Sequence, residues 1–170
     1  MSNRKSEAVE AFWLRCKALH NIKADEYHSG PFSDPDMAPY QDLLLDLVAQ
    51  RKKRATARLA MEFEEHGIAA RAPGTYWVVL SAVGNPRHLL RITDVEVKPF
   101  DKVEQEFAER EGEGDNSLAY WLKVHRDYFV QQCAVWGVDW RDDILVCCEG
   151  FDLVVEHEPD QPSGPLPHTD

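Results

Sequence analysis

The chain has 170 residues, 44 % of them hydrophobic, and a formal net charge of −11. That length fits one domain with a substantial core, needing neither metals nor disulfides to hold it. The acidic balance excludes a general nucleic-acid coater, because phosphate backbones are held by cations and repelled by a negative field. The four cysteines, Cys16, Cys133, Cys147 and Cys148, form no C-x-x-C pair, so they read as reduced, buried thiols rather than zinc ligands or a redox motif. No stretch approaches the ~18 apolar residues of a membrane span and the amino terminus has no apolar leader, so a cytoplasmic protein is expected.

In chain order, residues 7–20 place Ala8, Val9, Phe12, Trp13, Cys16 and Leu19 at helical spacing, which predicts an amphipathic helix. The Gly, Pro, Ser and Asp of segment 28–36 read as a surface connection. A second helix is marked by Leu43, Leu44, Leu47 and Val48, with Asp36 at its start and Arg51 to Arg54 at its end complementing the helix dipole. Beyond residue 54 the pattern turns to strands: ATARLAMEF, TYWVVLSA and HLLRITDVEVKPF, the last two as a hairpin. A short helix over 101–110, an acidic turn over 111–115, a long helix over 116–133 and a last strand over 144–156 follow, with Gly150 as a candidate bulge. The proline-rich segment 157–170 is expected to be disordered. Short strands interleaved with helices, without a β-α-β rhythm, indicate an α+β fold with a small curved sheet or barrel.

Charge is unevenly spread. The run from Arg51 to Arg58 holds five of the 19 Lys and Arg residues and no acid. Such a run at a helix end is commonly a solvated face that complements the dipole. The turn Glu111 to Asp115 could likewise only favour the start of the next helix, with Asp115 or Asn116 as its cap. His125 shares an apolar stripe with Leu118, Trp121, Leu122 and Phe129, and reads as a core or pocket-wall residue rather than a ligand; His20 and His28 carry no role.

Two segments together resemble the ASCH family. KKRATARL, residues 52–59, matches that family's G-x-K-x-x-T-x-R pattern at Lys53, Thr56 and Arg58, with Arg51 standing where the family has glycine. FAEREGEGDNSLAYWLKVHRDYF, residues 107–129, is similar to the A-E-x-E-G-E-G-D-x-S-L-x-Y-W signature of longer members, here Ala108 to Trp121, with His125 four residues on. The resemblance implies a PUA-like β-barrel flanked by helices over 37–156, an amino-terminal helix and loop over 1–36 packed against it, and the tail. Glycine at position 51 would allow positive φ after the helix, so either the turn differs here or Arg51 bears some strain.

The resemblance also implies work on RNA or a modified nucleoside, since ASCH members have been assigned RNA binding, ribonuclease activity and hydrolysis of the amide of N4-acetylcytidine. A hydrolase of ribonuclease type is the leading expectation. It would use Lys53, Thr56 and Glu111 as catalytic residues, Arg54, Arg58, Tyr120 and Trp121 to hold substrate, and, if a divalent cation takes part, Glu109, Glu113 and Asp115 beside Glu111 as oxygen ligands. The alternatives are an amidohydrolase, with Thr56 as nucleophile, Lys53 as base and Glu111 handling protons, and a non-catalytic RNA-binding module. A free lysine titrates near ~10.4 and must be brought down toward neutrality to act as a base. Repulsion from Arg51, Lys52, Arg54 and Arg58, with partial burial, would push it that way, and an ionised Glu111 beside it would push the other, which leaves the sum open. RNA or a nucleoside is thus the expected partner, with neither DNA nor a membrane.

Overall fold

The computed structural model describes residues 5–33 and 37–156; the predicted tail and Asp36 lie outside them. Helix α1, Glu7–His20, is capped by Ser6, whose hydroxyl accepts from the Val9 amide at 3.3 Å. Its Val9, Phe12, Trp13 and Cys16 pack on Val78 and Leu89 of the sheet, while Leu19 stays exposed in the last turn. The segment expected to be a surface connection contains a short strand, β1, His28–Gly30, which pairs in parallel with Trp77 to Val79. Its three residues are held by backbone bonds, so no side-chain pattern announces it.

Helix α2, Ala38–Ala49, starts with a proline in its first turn and buries Gln41, Leu44, Leu45 and Val48; Leu43, expected on that face, is exposed. The Gln41 amide oxygen accepts from the Phe32 and Ser33 amides at 3.0 and 3.1 Å, and its nitrogen donates to the Leu80 carbonyl at 2.7 Å. Those bonds fasten the preceding loop over the sheet. Strand β2, Ala55–Leu59, is shorter than the expected ATARLAMEF run. Met61 carbonyl bonds and the Arg58–Glu62 ion pair at 2.8 Å turn the chain into a single helical turn, α3, Glu62–Glu65.

Strands β3, Tyr76–Leu80, and β4, Pro86–Pro99, form the expected hairpin, and β4 continues along β5, Leu145–Glu156. Sheet order is β1-β3-β4-β5-β2, with only the β1–β3 pair parallel, curled into a half-barrel. Beside Gly150 the register shift puts the extra residue on β4, where Thr93 falls between Ile92 opposite Phe151 and Asp94 opposite Gly150. Gly150 instead makes room for an ion pair. A Cβ there would overlap the Arg110 guanidinium and the Asp94 carboxylate, which bond each other at 2.7 and 3.0 Å.

A 3-10 turn at Phe100–Lys102 leads into α4, Gln105–Glu111, and then α5, Leu118–Val135. The cap of α5 is Ser117, not Asp115 or Asn116; Asp115 instead accepts from the Ser117 amide at 2.8 Å. The sheet is covered on both faces. Leu44, Leu45 and Val48 of α2 pack with Trp77, Val79, Leu90, Ile92 and Phe151, whereas Phe107 of α4 and Trp121, Phe129 and Cys133 of α5 pack with Ala55, Leu59, Val146 and Cys148. All four cysteines are free and buried. No helix among the described residues is long and apolar enough to cross a membrane.

Candidate functional site

Two backbone crossings bring the basic and acidic segments together. The Arg54 amide donates to the Arg110 carbonyl at 2.7 Å, and Gly112, at φ +69°, presses against Lys52 so closely that a Cβ would overlap its carbonyl. Upstream, α2 ends in a Schellman motif: the Arg51 amide donates to Val48 at 2.9 Å and the Lys52 amide to Leu47 at 2.9 Å, with Arg51 in the left-handed region at φ 58°. Of the two outcomes open for Arg51, the left-handed turn is kept and Arg51 bears its strain.

Lys53, 2 % exposed, then points inward between two carboxylates. Its ammonium lies 2.6 Å from Glu111 Oε2 and 2.8 Å from Glu113 Oε1. Glu113 also accepts from the Tyr40 hydroxyl of α2, and Glu111 Oε1 accepts from Trp121 Nε1 at 3.2 Å and faces His125 Nε2 at 3.4 Å. Burial works against charge on Lys53, but the two carboxylates more than offset it and raise its pKa. Burial likewise opposes ionisation of Glu111, and Lys53 followed by His125 outweighs it, holding this carboxyl well below the usual range. Burial, then Glu113, push the Tyr40 phenol far up, so it remains a donor.

Of the opposing influences expected on Lys53, the carboxylates therefore prevail over burial and cationic repulsion. In the extended segment ahead of β2 only Lys53 of the basic run turns into the acidic niche, while Arg51, Lys52 and Arg54 are exposed. Arg58 binds Glu62 and the Pro31 carbonyl instead, at 2.8 and 3.1 Å.

These groups line a cavity of about 490 Å³ together with Phe32, Thr56, Asp127 and Tyr128. Of the residues expected in the site, Lys53, Thr56, Glu111 and Glu113 are on its wall; Arg54, Arg58, Tyr120 and Trp121 are not. Trp121 lies behind the wall, buried against Phe100 and donating to Glu111. Tyr120 covers Gly114, where a Cβ would collide with its ring. Tyr40, Phe32 and Tyr128 carried no sequence signal, because what makes them part of the site is distant contact rather than local spacing.

The donor set does not fit a resident divalent ion. Glu111, Glu113 and His125 offer ligand atoms within 4.8 Å of one another, but the Lys53 ammonium bonds one oxygen of each carboxylate and already supplies their counter-charge. Glu109 and Asp115 are exposed and bonded elsewhere, to Gln105 at 2.9 Å and to the Ser117 amide.

A half-barrel carrying a buried lysine and its carboxylates at the mouth between α2 and α5 places the chain in the α+β, PUA-like class. The sequence model of the ASCH domain matches residues 32–155, and the chain belongs to that family. It is similar to the crystal structure of an ASCH domain from Lactobacillus crispatus JV V101, at 27 % identity and a TM-score of 0.78, covering 92 % of this chain and 99 % of that one. It is also similar to a crystal structure from Enterococcus faecalis V583, at 26 % identity and a TM-score of 0.78, covering 88 % and 89 %. No curated protein matches the chain.

Proposed function

We propose that the pocket hydrolyses an amide on an uncharged modified nucleoside, with N4-acetylcytidine as the model substrate and Thr56 as the group that receives the acyl chain. The observation that carries this reading is the charge of the wall. Glu111, Glu113 and Asp127 stand against a single ammonium, that of Lys53, which two of them already neutralise. A phosphodiester would need cations free to meet its charge, and Arg54 and Arg58 are outside the cavity. A neutral nucleoside needs none. The volume falls in the range usual for small-molecule sites, roughly 300–1,000 Å³. Phe32, Tyr40 and Tyr128 offer π-faces to a base.

Thr56, 5 % exposed, supplies a hydroxyl on this wall, and the resting Lys53 supplies positive charge for the oxygen of a tetrahedral adduct rather than a lone pair. One observation favours ribonuclease action or RNA binding as the second reading. Arg51, Lys52 and Arg54 stand exposed beside Lys53, where a short RNA backbone could run.

The test is to incubate the protein with N4-acetylcytidine, its 5′-phosphate and a set of RNA oligonucleotides, and to identify products by mass spectrometry. Cytidine and acetate from the nucleoside, with oligonucleotides intact, is the expected result. Cleaved oligonucleotides would establish the second reading, and salt-sensitive RNA binding without any product would make the domain a binding module.

A further inference from the structure

Acyl transfer to Thr56 requires an acceptor for its hydroxyl proton. Lys53 is an ammonium, Glu111 is occupied by Lys53 and Trp121, and Glu113 by Lys53 and Tyr40. We propose that His125 is the acid–base residue of this pocket, taking the Thr56 proton on Nε2 and returning it to the leaving nitrogen. This rests on the amide-hydrolysis reading above.

The geometry prepares the ring for that role. His125 Nδ1 lies 2.9 Å from the Trp121 carbonyl one helical turn earlier. A carbonyl only accepts, so Nδ1 carries the hydrogen and Nε2 is the nitrogen that gains and loses a proton. Nε2 faces Glu111 at 3.4 Å, so a carboxylate stands ready to stabilise the imidazolium once it forms. The ring stacks on Trp121 at 4.1 Å and meets Phe129 at 5.7 Å, which fixes its plane. It is half-buried and lines the same cavity as Thr56. A hydroxyl and an imidazole on the wall of one cavity, with a main-chain carbonyl orienting the ring, are the parts that an acyl-transfer triad uses.

The charges around the ring are those of Lys53 ahead of β2, Glu111 closing α4, Glu113 in the next turn and Asp127 on its own helix, with the phenols of Tyr40 and Tyr128. In the first step the Thr56 oxygen bonds the carbonyl carbon, its proton passes to Nε2, and the carbonyl electron pair moves to oxygen beside Lys53. The oxygen's electron pair then re-forms the carbonyl as the C–N bond breaks, and the pair of that bond stays on nitrogen, which takes the proton from Nε2. The products are the free amine, the threonyl ester and a neutral ring. Water then attacks the ester, gives one proton to Nε2, and that proton reaches Thr56 as the C–O bond breaks and the carboxylic acid leaves.

The experiment is the pH profile of kcat and kcat/KM on N4-acetylcytidine for the wild type, His125→Asn and His125→Gln, beside long-range 1H–15N spectra of the wild-type imidazoles. The wild type should show an ascending limb as one imidazole loses its proton. Both variants should keep KM within a few-fold, lose kcat by about 100-fold or more and lose that limb. The spectra should show His125 with its neutral-ring hydrogen on Nδ1. A limb and kcat that survive in either variant that melts like the wild type, or a hydrogen on Nε2, would overturn the role of His125 while leaving amide hydrolysis standing. Absence of any wild-type turnover would overturn the hydrolysis reading, and this role with it.

Discussion

Lys53 and Glu111 meet at 2.6 Å with each side chain only 1 % exposed. Removing one member of such a pair leaves an uncompensated buried charge, which costs about 3–5 kcal/mol. Lys53→Met is expected to destabilise by that amount in urea denaturation. Adding Glu111→Leu should restore part of it, since the more buried of the two stranded carboxylates is then gone while Glu113 keeps its bond to Tyr40. A single-variant cost below about 1 kcal/mol, the value of an exposed pair, would contradict the buried geometry.

The same pair sets the stability profile with pH. The raised pKa of Lys53 gives stabilisation that is complete below its unfolded value near ~10.4 and lost as pH climbs through the folded value. The depressed pKa of Glu111 gives stabilisation that is complete above its unfolded value near ~4.3 and lost as pH falls. Between roughly pH 5 and 10 these two groups should contribute a plateau in the urea midpoint. The acid decline should become shallower in Glu111→Gln relative to that variant's own plateau; an unchanged slope would show that other carboxylates govern it.

Arg51 occupies the left-handed position of the Schellman motif with an ordinary side chain, exposed and in no ion pair among the described residues. Arg51→Gly should therefore stabilise by about 0.5–1 kcal/mol, less any gain in unfolded-chain freedom. Thermal unfolding of the two forms measures it, and a lower midpoint for the glycine variant would show that Arg51 makes a compensating interaction.

Gly112 combines a positive φ with backbone contact to Lys52, which has no flexible end to move aside. Gly112→Ala is expected to cost about 2 kcal/mol or more and to separate Glu111 from Lys53. Loss of stability together with loss of ligand turnover is the expected pair of readouts. Unchanged turnover would mean that the crossing tolerates the extra carbon.

Because the Lys53 ammonium already bonds and neutralises both carboxylates that a cation would use, chelators should leave both turnover and the unfolding midpoint unchanged. Activity abolished by EDTA and restored by Mg²⁺ or Mn²⁺ would instead show that Lys53 can be displaced by metal.

Much of this architecture is legible in the chain because it is periodic. Val9, Phe12, Trp13 and Cys16 mark α1, and the alternating runs from Tyr76 and His88 mark a hairpin, since burial on one face imposes a local spacing. What was hidden depends on backbone or distance. His28–Gly30 joins the sheet through main-chain bonds, and Gly150 looks like a bulge until Arg110 and Asp94 are seen in the space it leaves. Within the site, Lys53, Thr56 and Glu111 could be named from their motif setting. The inward turn of Lys53 alone among five cations, and the arrival of Tyr40 at Glu113, follow from tertiary packing that local composition does not encode.

The bonds that close the pocket all span long stretches of chain: 58 residues for Lys53 to Glu111, 60 for Lys53 to Glu113 and 73 for Tyr40 to Glu113. Loop closure must be completed before such contacts give any return. During synthesis, therefore, the lysine is made long before its counter-charges exist, and it remains a hydrated ammonium until α4 arrives. The pocket is a late event of folding, and an amino-terminal fragment ending before Glu111 would carry the family's lysine and threonine without the niche that gives them their chemistry.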